Sequence, residues 1–118
     1  MPKEAVVLCD TRADGHSHHV SVEIGTQGKL VFMGQDLSSG NSIMGYREYE
    51  WSVTIAVENI PKLSCALRIQ NCFGWWPVSN TRLLRVLRRR FSGRRARNIE
   101  PFLKKHDIPY SLWNRIGD

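Results

Sequence analysis

This sequence has no long hydrophobic run and no catalytic signature. None of its segments approaches the roughly 18 consecutive apolar residues of a membrane span, and the N-terminal stretch MPKEAVVLCD has no apolar run after a basic region. We therefore expect neither a signal peptide nor a membrane span, we predict no membrane partner, and we expect a cytoplasmic protein. A chain of 118 residues with 42% apolar residues predicts a single domain, residues 1–118, with one core.

Cysteine is scarce. Cys9, Cys65 and Cys72 form an odd set without a CxxC pair, which argues against a disulfide framework and against a zinc knuckle. Cys9 lies in an apolar segment and Cys65 in a helical pattern, so we expect buried free thiols that fill core volume.

Metal-binding residues are equally sparse. His16, His18 and His19 form the one histidine cluster, and the HxH spacing places two imidazoles on one face of a strand. No carboxylate or thiol follows at ligand spacing, so an exposed hairpin tip is the preferred interpretation. We predict no metal site and no cofactor.

The sequence also lacks a recognisable set of catalytic residues. Asp36, Glu48 and Glu50 are acidic, but no nucleophile, base and orienting residue can be named together. We therefore predict a protein without catalytic residues. An enzyme that uses Cys72 or the histidine cluster is kept as an alternative hypothesis.

Acidic residues are rare in the C-terminal part of the chain. Residues 77–118 hold eleven basic and three acidic side chains, a net charge of +8, whereas residues 1–76 hold six basic and eight acidic ones, a net charge of −2. A local positive field attracts a polyanion or an acidic protein surface and speeds the encounter.

Alternating apolar residues predict strands in the N-terminal half. The segments are residues 5–9, 18–24, 29–33 and 46–57. The last of these is the predicted core strand, because five large apolar side chains share one of its faces: Tyr49, Trp51, Val53, Ile55 and Val57. Short connections between the first three segments predict an antiparallel meander.

The period changes to that of helices after residue 58. We predict a first helix over about residues 59–70, a second that Ser79 or Asn80 caps and Gly93 ends, and a third capped by Asn98. The final residues, 107–118, are predicted to be a tail whose aromatic side chains pack back on the domain. The predicted fold is α+β, with an antiparallel sheet of about four N-terminal strands packed against two or three C-terminal helices.

Arginine is concentrated in one stretch. Eight arginines fall within sixteen residues: Arg82, Arg85, Arg88, Arg89, Arg90, Arg94, Arg95 and Arg97. Leu83, Leu84, Leu87 and Phe91 form the apolar stripe of the same helix, so most of these arginines are predicted to face solvent. A position that only faces solvent accepts lysine as well as arginine. A position that contacts carboxylate or phosphate in a bidentate way favours arginine, because of its planar guanidinium group. We predict partner contacts at Arg82, Arg85, Arg88 and Arg89.

Two adjacent tryptophans, Trp75 and Trp76, precede this helix. Core capping by both is one interpretation. The other is an exposed tryptophan beside an arginine surface, which is typical of an interface hot spot or of a base-stacking platform. Both tryptophans are therefore candidate partner-binding residues.

Several short motifs resemble those of a bacterial family. GQDL, EYEW about a dozen residues later, IPKLSCAL, RRRF and IPYSLWNRIGD are similar to a group of small, largely uncharacterised cytoplasmic α+β proteins, over roughly residues 20–118. Members resemble immunity proteins of polymorphic or contact-dependent growth-inhibition toxins. The resemblance implies a protein that neutralises a cognate toxin by direct association, and it carries over no catalytic residue.

The second helix is more basic than this resemblance implies. Many toxins of this kind are basic nucleases that bind acidic immunity proteins, so the partner of this chain should present an acidic surface or contact its acidic N-terminal half. The alternative is a nucleic-acid-binding module that uses the same arginines on phosphates.

Overall fold

The computed structural model describes residues 4–13, 15–38, 47–69 and 78–117. Five strands form one antiparallel sheet in sequence order: β1 (Glu4–Ala13), β2 (His16–Ile24), β3 (Leu30–Ser38), β4 (Arg47–Ile55) and β5 (Ser111–Gly117). The helices are α1 (Ile60–Ala66), α2 (Asn80–Phe91) and α3 (Ile99–Lys105). Two 3-10 helices, Val57–Asn59 and Gly93–Asn98, precede α1 and α3. The predicted α+β class and antiparallel sheet are confirmed, with five strands instead of about four.

The inner face of the sheet carries the core. Val22 pairs with Phe32, and Phe32 pairs with Val53 on the next strand, so the predicted apolar faces of three strands meet in one row. All three side chains are buried, together with the stripe of α2 that faces the sheet: Leu83, Leu84, Leu87 and Phe91. The apolar faces predicted for the strands and the apolar stripe predicted for the second helix therefore pack against each other in one core.

Burial on this face changes along the strands. Ile24, Leu30 and Ile55 form a buried row near the β2–β3 turn, whereas Tyr49 is 37% exposed near the other end of the sheet. Val57 is 53% exposed because β4 ends at Ile55 and Val57 lies in a 3-10 helix. The predicted core strand is thus correct in its centre and wrong at its ends.

The helix ends follow the predicted signals in part. The Ser79 hydroxyl accepts a hydrogen bond from the Arg82 backbone N–H at 3.2 Å, and α2 ends at Phe91, two residues before Gly93. Gly93 has a φ of 62°, which suits glycine best. By contrast, α1 ends at Ala66, so the prediction of a helix to residue 70 is too long.

The prediction for residues 107–118 is correct for Tyr110, which packs against the core, and wrong for the residues that follow it. Residues 111–117 form β5, in which Leu112 pairs with Val53 and Asn114 with Trp51. Pro109 does not prevent this strand, because it lies before the first ladder residue. The Tyr110 hydroxyl donates a hydrogen bond to Glu100 Oε1 at 2.9 Å and so links this segment to α3. Trp113 does not pack back on the domain, because it is 52% exposed on an edge strand.

The expectation of free thiols is confirmed for Cys9 and wrong for Cys65. Cys65 is disulfide-bonded, whereas Cys9 is a free, half-buried thiol. An odd count leaves room for one pair, and sequence spacing does not show which thiols the fold brings together. Cys72 lies outside the described residues. In the described part of the chain, no helix is both long and apolar enough to span a membrane.

Candidate functional site

The arginine surface is the eight arginines of α2 and the 3-10 helix Gly93–Asn98, and all eight are exposed. For the five arginines of α2 this is the orientation that the apolar stripe predicts. Arg90 lies over the Phe102 ring, 5.3 Å from its centroid, and Arg95 donates a hydrogen bond to the Ser92 hydroxyl at 3.0 Å. Within the described residues, none of the eight forms an ion pair with a carboxylate. The positive charge of this surface is therefore available to a partner.

The helix macrodipole explains only part of this charge. Arg88, Arg89 and Arg90 lie in the last turn of α2, where a cation stabilises the C-terminal end of a helix. Arg82 lies in the first turn, which contains no acidic residue and where a cation is unfavourable. Helix stability therefore does not account for Arg82 or for Arg85 in the middle of the helix. Trp75 and Trp76, the other two predicted partner-binding residues, lie outside the described residues.

A cavity of about 440 Å³ lies between the inner face of the sheet and the 3-10 helix Gly93–Asn98. We call it the sheet cavity. Its described lining is Cys9, Thr11, His18, Val20, Asp36, Trp51, Gly93, Arg94, Ala96 and Arg97. It occupies the part of the inner face where the side chains of the strands are no longer buried by helices. Two residues of the arginine surface thus border a concave, chemically mixed site.

His18 and Asp36 form the polar centre of this site. They are cross-strand partners on β2 and β3, and His18 Nδ1 lies 2.6 Å from Asp36 Oδ1. A carboxylate accepts only, so the imidazole donates from Nδ1 and keeps Nε2 for a second contact. The sequence alone did not identify His18 as the partner of Asp36, because the two residues lie 18 positions apart and meet only through strand pairing.

The neighbouring histidine, His19, has a different environment. His19 lies on the opposite face of β2, with its Nδ1 3.7 Å from Asp10 Oδ1 on β1. His18 and His19 thus each have a carboxylate neighbour that sequence spacing did not reveal. Among the described residues, no group of three or more His, Cys, Asp or Glu side chains is arranged to hold a metal ion.

The motifs GQDL and EYEW form one cross-strand unit. Gly34 pairs with Trp51, Gln35 with Glu50, Asp36 with Tyr49 and Leu37 with Glu48. The Trp51 indole lies across Gly34, since a Cβ atom at residue 34 would meet Trp51 Cε2 at 2.0 Å. Glycine is therefore required at this position by the ring that covers it, and the ring also lines the sheet cavity.

A second cavity of about 420 Å³ adjoins the first and shares His18 and Asp36 with it. Tyr49, Asn114 and Ile116 are among its other lining residues. Ile116 is 81% exposed and Leu112 is 49% exposed, both on the edge strand β5. Sequence reasoning missed this edge because it assigned the segment to a tail, although the alternation of Leu112, Asn114 and Ile116 was a signal for a strand.

The outer face of the sheet carries a pair of interacting carboxyl groups. Glu48 and Glu50 lie on the same side of β4, and Gln35 donates a hydrogen bond to Glu48 Oε1 at 2.8 Å. A hydrogen bond between the two carboxyl groups lowers the pKa of Glu48 and raises the pKa of Glu50. Loss of solvent and the negative charge of Glu48 raise the pKa of Glu50 further, whereas Arg115 opposes the rise. The two groups therefore hold a proton between them more readily than either would alone.

We expect Glu50→Gln to raise the free energy of unfolding at pH 7. Above the raised pKa of Glu50, folding brings two negative charges together, and a glutamine amide donates to Glu48 without requiring protonation. A carboxyl group with a raised folded-state pKa stabilises the fold as the pH falls through that pKa, so the advantage of the variant should shrink from pH 7 towards acid. Urea denaturation across this pH range measures the difference.

Glu58→Gln is the matched control, because it removes one negative charge from an exposed position in the 3-10 helix Val57–Asn59. A Glu50→Gln protein that is less stable than wild type at pH 7 would show that the electrostatic attraction of Glu50 to Arg115 outweighs its repulsion by Glu48.

No protein-family model, curated protein or solved structure matches this chain. The resemblance drawn from the short motifs therefore stays a prediction.

Proposed function

We propose that this protein is a non-enzymatic binding protein that neutralises a cognate protein toxin by direct association. The observation that supports the proposal is the arginine surface, whose exposed guanidinium groups lack carboxylate partners within the described residues. Maintaining this concentration of like charge on one helix and the segment after it costs stability through repulsion. A partner that neutralises the charge offsets that cost.

The chemistry of the surface specifies the partner. Arginine presents a planar fork that matches a carboxylate and keeps its charge at every physiological pH. The toxin should therefore present aspartate and glutamate side chains to Arg82, Arg85, Arg88 and Arg89. Inhibition would follow from covering or distorting the toxin's site, which requires no chemistry from this chain. Trp75 and Trp76 remain candidate hydrophobic anchors for this partner.

We expect Arg85→Ala with Arg89→Ala to weaken the complex by about 2 kcal/mol or more, roughly a 30-fold rise in Kd, because interface arginines are frequent hot spots. The partner to test is the product of the neighbouring gene, copurified with this chain and titrated by calorimetry. Coexpression of the wild-type chain should protect cells from that product, and the double variant should protect them less.

Lys62→Ala with Lys104→Ala is the matched control, because it removes the same charge from exposed positions on α1 and α3. Equal losses of affinity in both double variants would show that binding depends on the net charge of the chain and not on contacts of Arg85 and Arg89. The toxin proposal fails if no partner is retained and coexpression gives no protection.

The second candidate function is nucleic-acid binding. The observation in its favour is the continuity of the arginine surface with the sheet cavity, since Arg94 and Arg97 border a site that also contains Trp51. Phosphate contacts and aromatic stacking are the two components of single-strand binding. The affinity should then fall steeply with salt, and each lost phosphate contact should reduce the slope of log K against log salt by about 1. A flat salt response excludes this candidate.

A further inference from the structure

We propose that the sheet cavity binds a nucleoside monophosphate, with the phosphate held by Arg94 and Arg97 and the base held on Trp51. The proposal goes beyond the toxin hypothesis and does not rest on it. Its residues differ from those assigned to the toxin contact, so the two proposals can fail separately.

The charges around the cavity favour an anion. Arg94 and Arg97 border it from the 3-10 helix, and neither forms an ion pair within the described residues. Asp36 is the one carboxylate among the described lining residues, and its Oδ1 already accepts a hydrogen bond from His18. The lining therefore carries a net positive charge with its single carboxylate engaged. Two guanidinium forks suit the three oxygens of a phosphate monoester.

The opposite wall of the cavity is aromatic and apolar. The Trp51 indole is held across Gly34, where no side chain intervenes between the ring and the backbone of β3. A ring supported in this way keeps its position without a ligand, which lowers the entropic cost of stacking a base on it. Val20, a buried residue of β2, adds apolar surface to this wall, and the buried Ala96 adds apolar surface from the 3-10 helix.

The size and the remaining polar groups fit the same ligand. A volume of about 440 Å³ would be left mostly unfilled by a lone phosphate and lies within the range of about 300–1,000 Å³ that is typical of small-molecule sites. The hydroxyl of Thr11 and Nε2 of His18 remain for hydrogen bonds to a sugar or a base edge. Thr11 and His18 are cross-strand partners, so β-sheet pairing fixes their spacing.

Calorimetric titration of the full chain with AMP, GMP, CMP and UMP tests the proposal. We expect at least one nucleotide to bind, and we expect inorganic phosphate and the matching nucleoside to bind at least about tenfold more weakly, because each lacks one half of the contacts. Arg94→Ala with Arg97→Ala should weaken nucleotide binding about tenfold or more. Arg94→Lys with Arg97→Lys keeps the charge and should still lose affinity, because lysine lacks the fork.

Lys104→Ala with Lys105→Ala is the matched control, because it removes the same charge from exposed positions on α3 without touching the lining of the cavity. It should leave the nucleotide Kd within about twofold, because it leaves every lining contact in place. Thermal unfolding of each variant confirms that it is folded. The proposal is overturned if no nucleotide binds at millimolar concentration, if phosphate alone binds as tightly as the nucleotide, or if both alanine pairs weaken binding equally.

Discussion

Replacing Gly34 with alanine should destabilise the protein by about 1–3 kcal/mol, which is typical of overpacking a filled site. The new methyl group would lie 2.0 Å from Trp51 Cε2 and 2.1 Å from Trp51 Nε1. These atoms belong to a rigid indole, so relief requires rotation of the whole ring or separation of β3 from β4. Urea denaturation measures the loss, with the fluorescence of the tryptophans as one signal and circular dichroism as a second.

Gly25→Ala is the control for this substitution. Gly25 lies in the β2–β3 connection, and a Cβ atom there meets no other atom within 4 Å. Its free energy of unfolding should stay within about 0.5 kcal/mol of wild type. If the indole causes the loss, the combination of Gly34→Ala with Trp51→Ala should cost less than the sum of the single changes. An additive double variant would show that Trp51 is not the cause.

The second large effect is expected at Leu87. Leu87→Ala removes a side chain that is 0% exposed from the stripe of α2 that faces the sheet. Leucine-to-alanine changes at such sites cost about 2–5 kcal/mol, because the transfer energy of the lost atoms adds to the cavity left behind. Denaturation midpoints at constant slope would measure the change.

Arg85→Ala, two positions earlier on the same helix, should change stability by about 0.5 kcal/mol or less, because Arg85 is exposed. The two variants separate the roles of the two faces of α2. Leu87→Ala should reduce partner binding only as far as it unfolds the protein, whereas Arg85→Ala should reduce binding with the fold intact. A stable Leu87→Ala protein would mean that the surrounding core closes on the deleted volume.

The GQDL and EYEW motifs gain a physical explanation from their pairing. In sequence, Gly34 resembles an ordinary turn glycine and Trp51 an ordinary core residue. In the sheet, each is the direct partner of the other, and the glycine makes room for the indole. Asp36 of the same motif accepts a hydrogen bond from His18 on the other neighbouring strand. The short motifs therefore describe one packed unit, which explains their spacing without an assigned activity.

Local chemistry was sufficient to predict the elements whose signals are periodic. The alternation of β2 and β4, the apolar stripe of α2, a cap at Ser79 or Asn80 and the exposure of the α2 arginines all follow from side-chain period and from capping. Each of these properties depends on residues that are close together in the sequence. The same holds for the charge of the arginine surface, which is a property of composition.

Only the tertiary structure decided which distant residues meet. Strand pairing joins His18 to Asp36 and Trp51 to Gly34, and it adds β5 from the far end of the chain to the edge of an N-terminal sheet. Register between strands depends on the hydrophobic faces of both partners and on the turn that joins them, so the sequence of one strand alone does not specify it. The sheet cavity exists because the helices bury one part of that face and leave the other open. The sequence thus determined the charged helix, and the fold placed Arg94 and Arg97 beside a cavity.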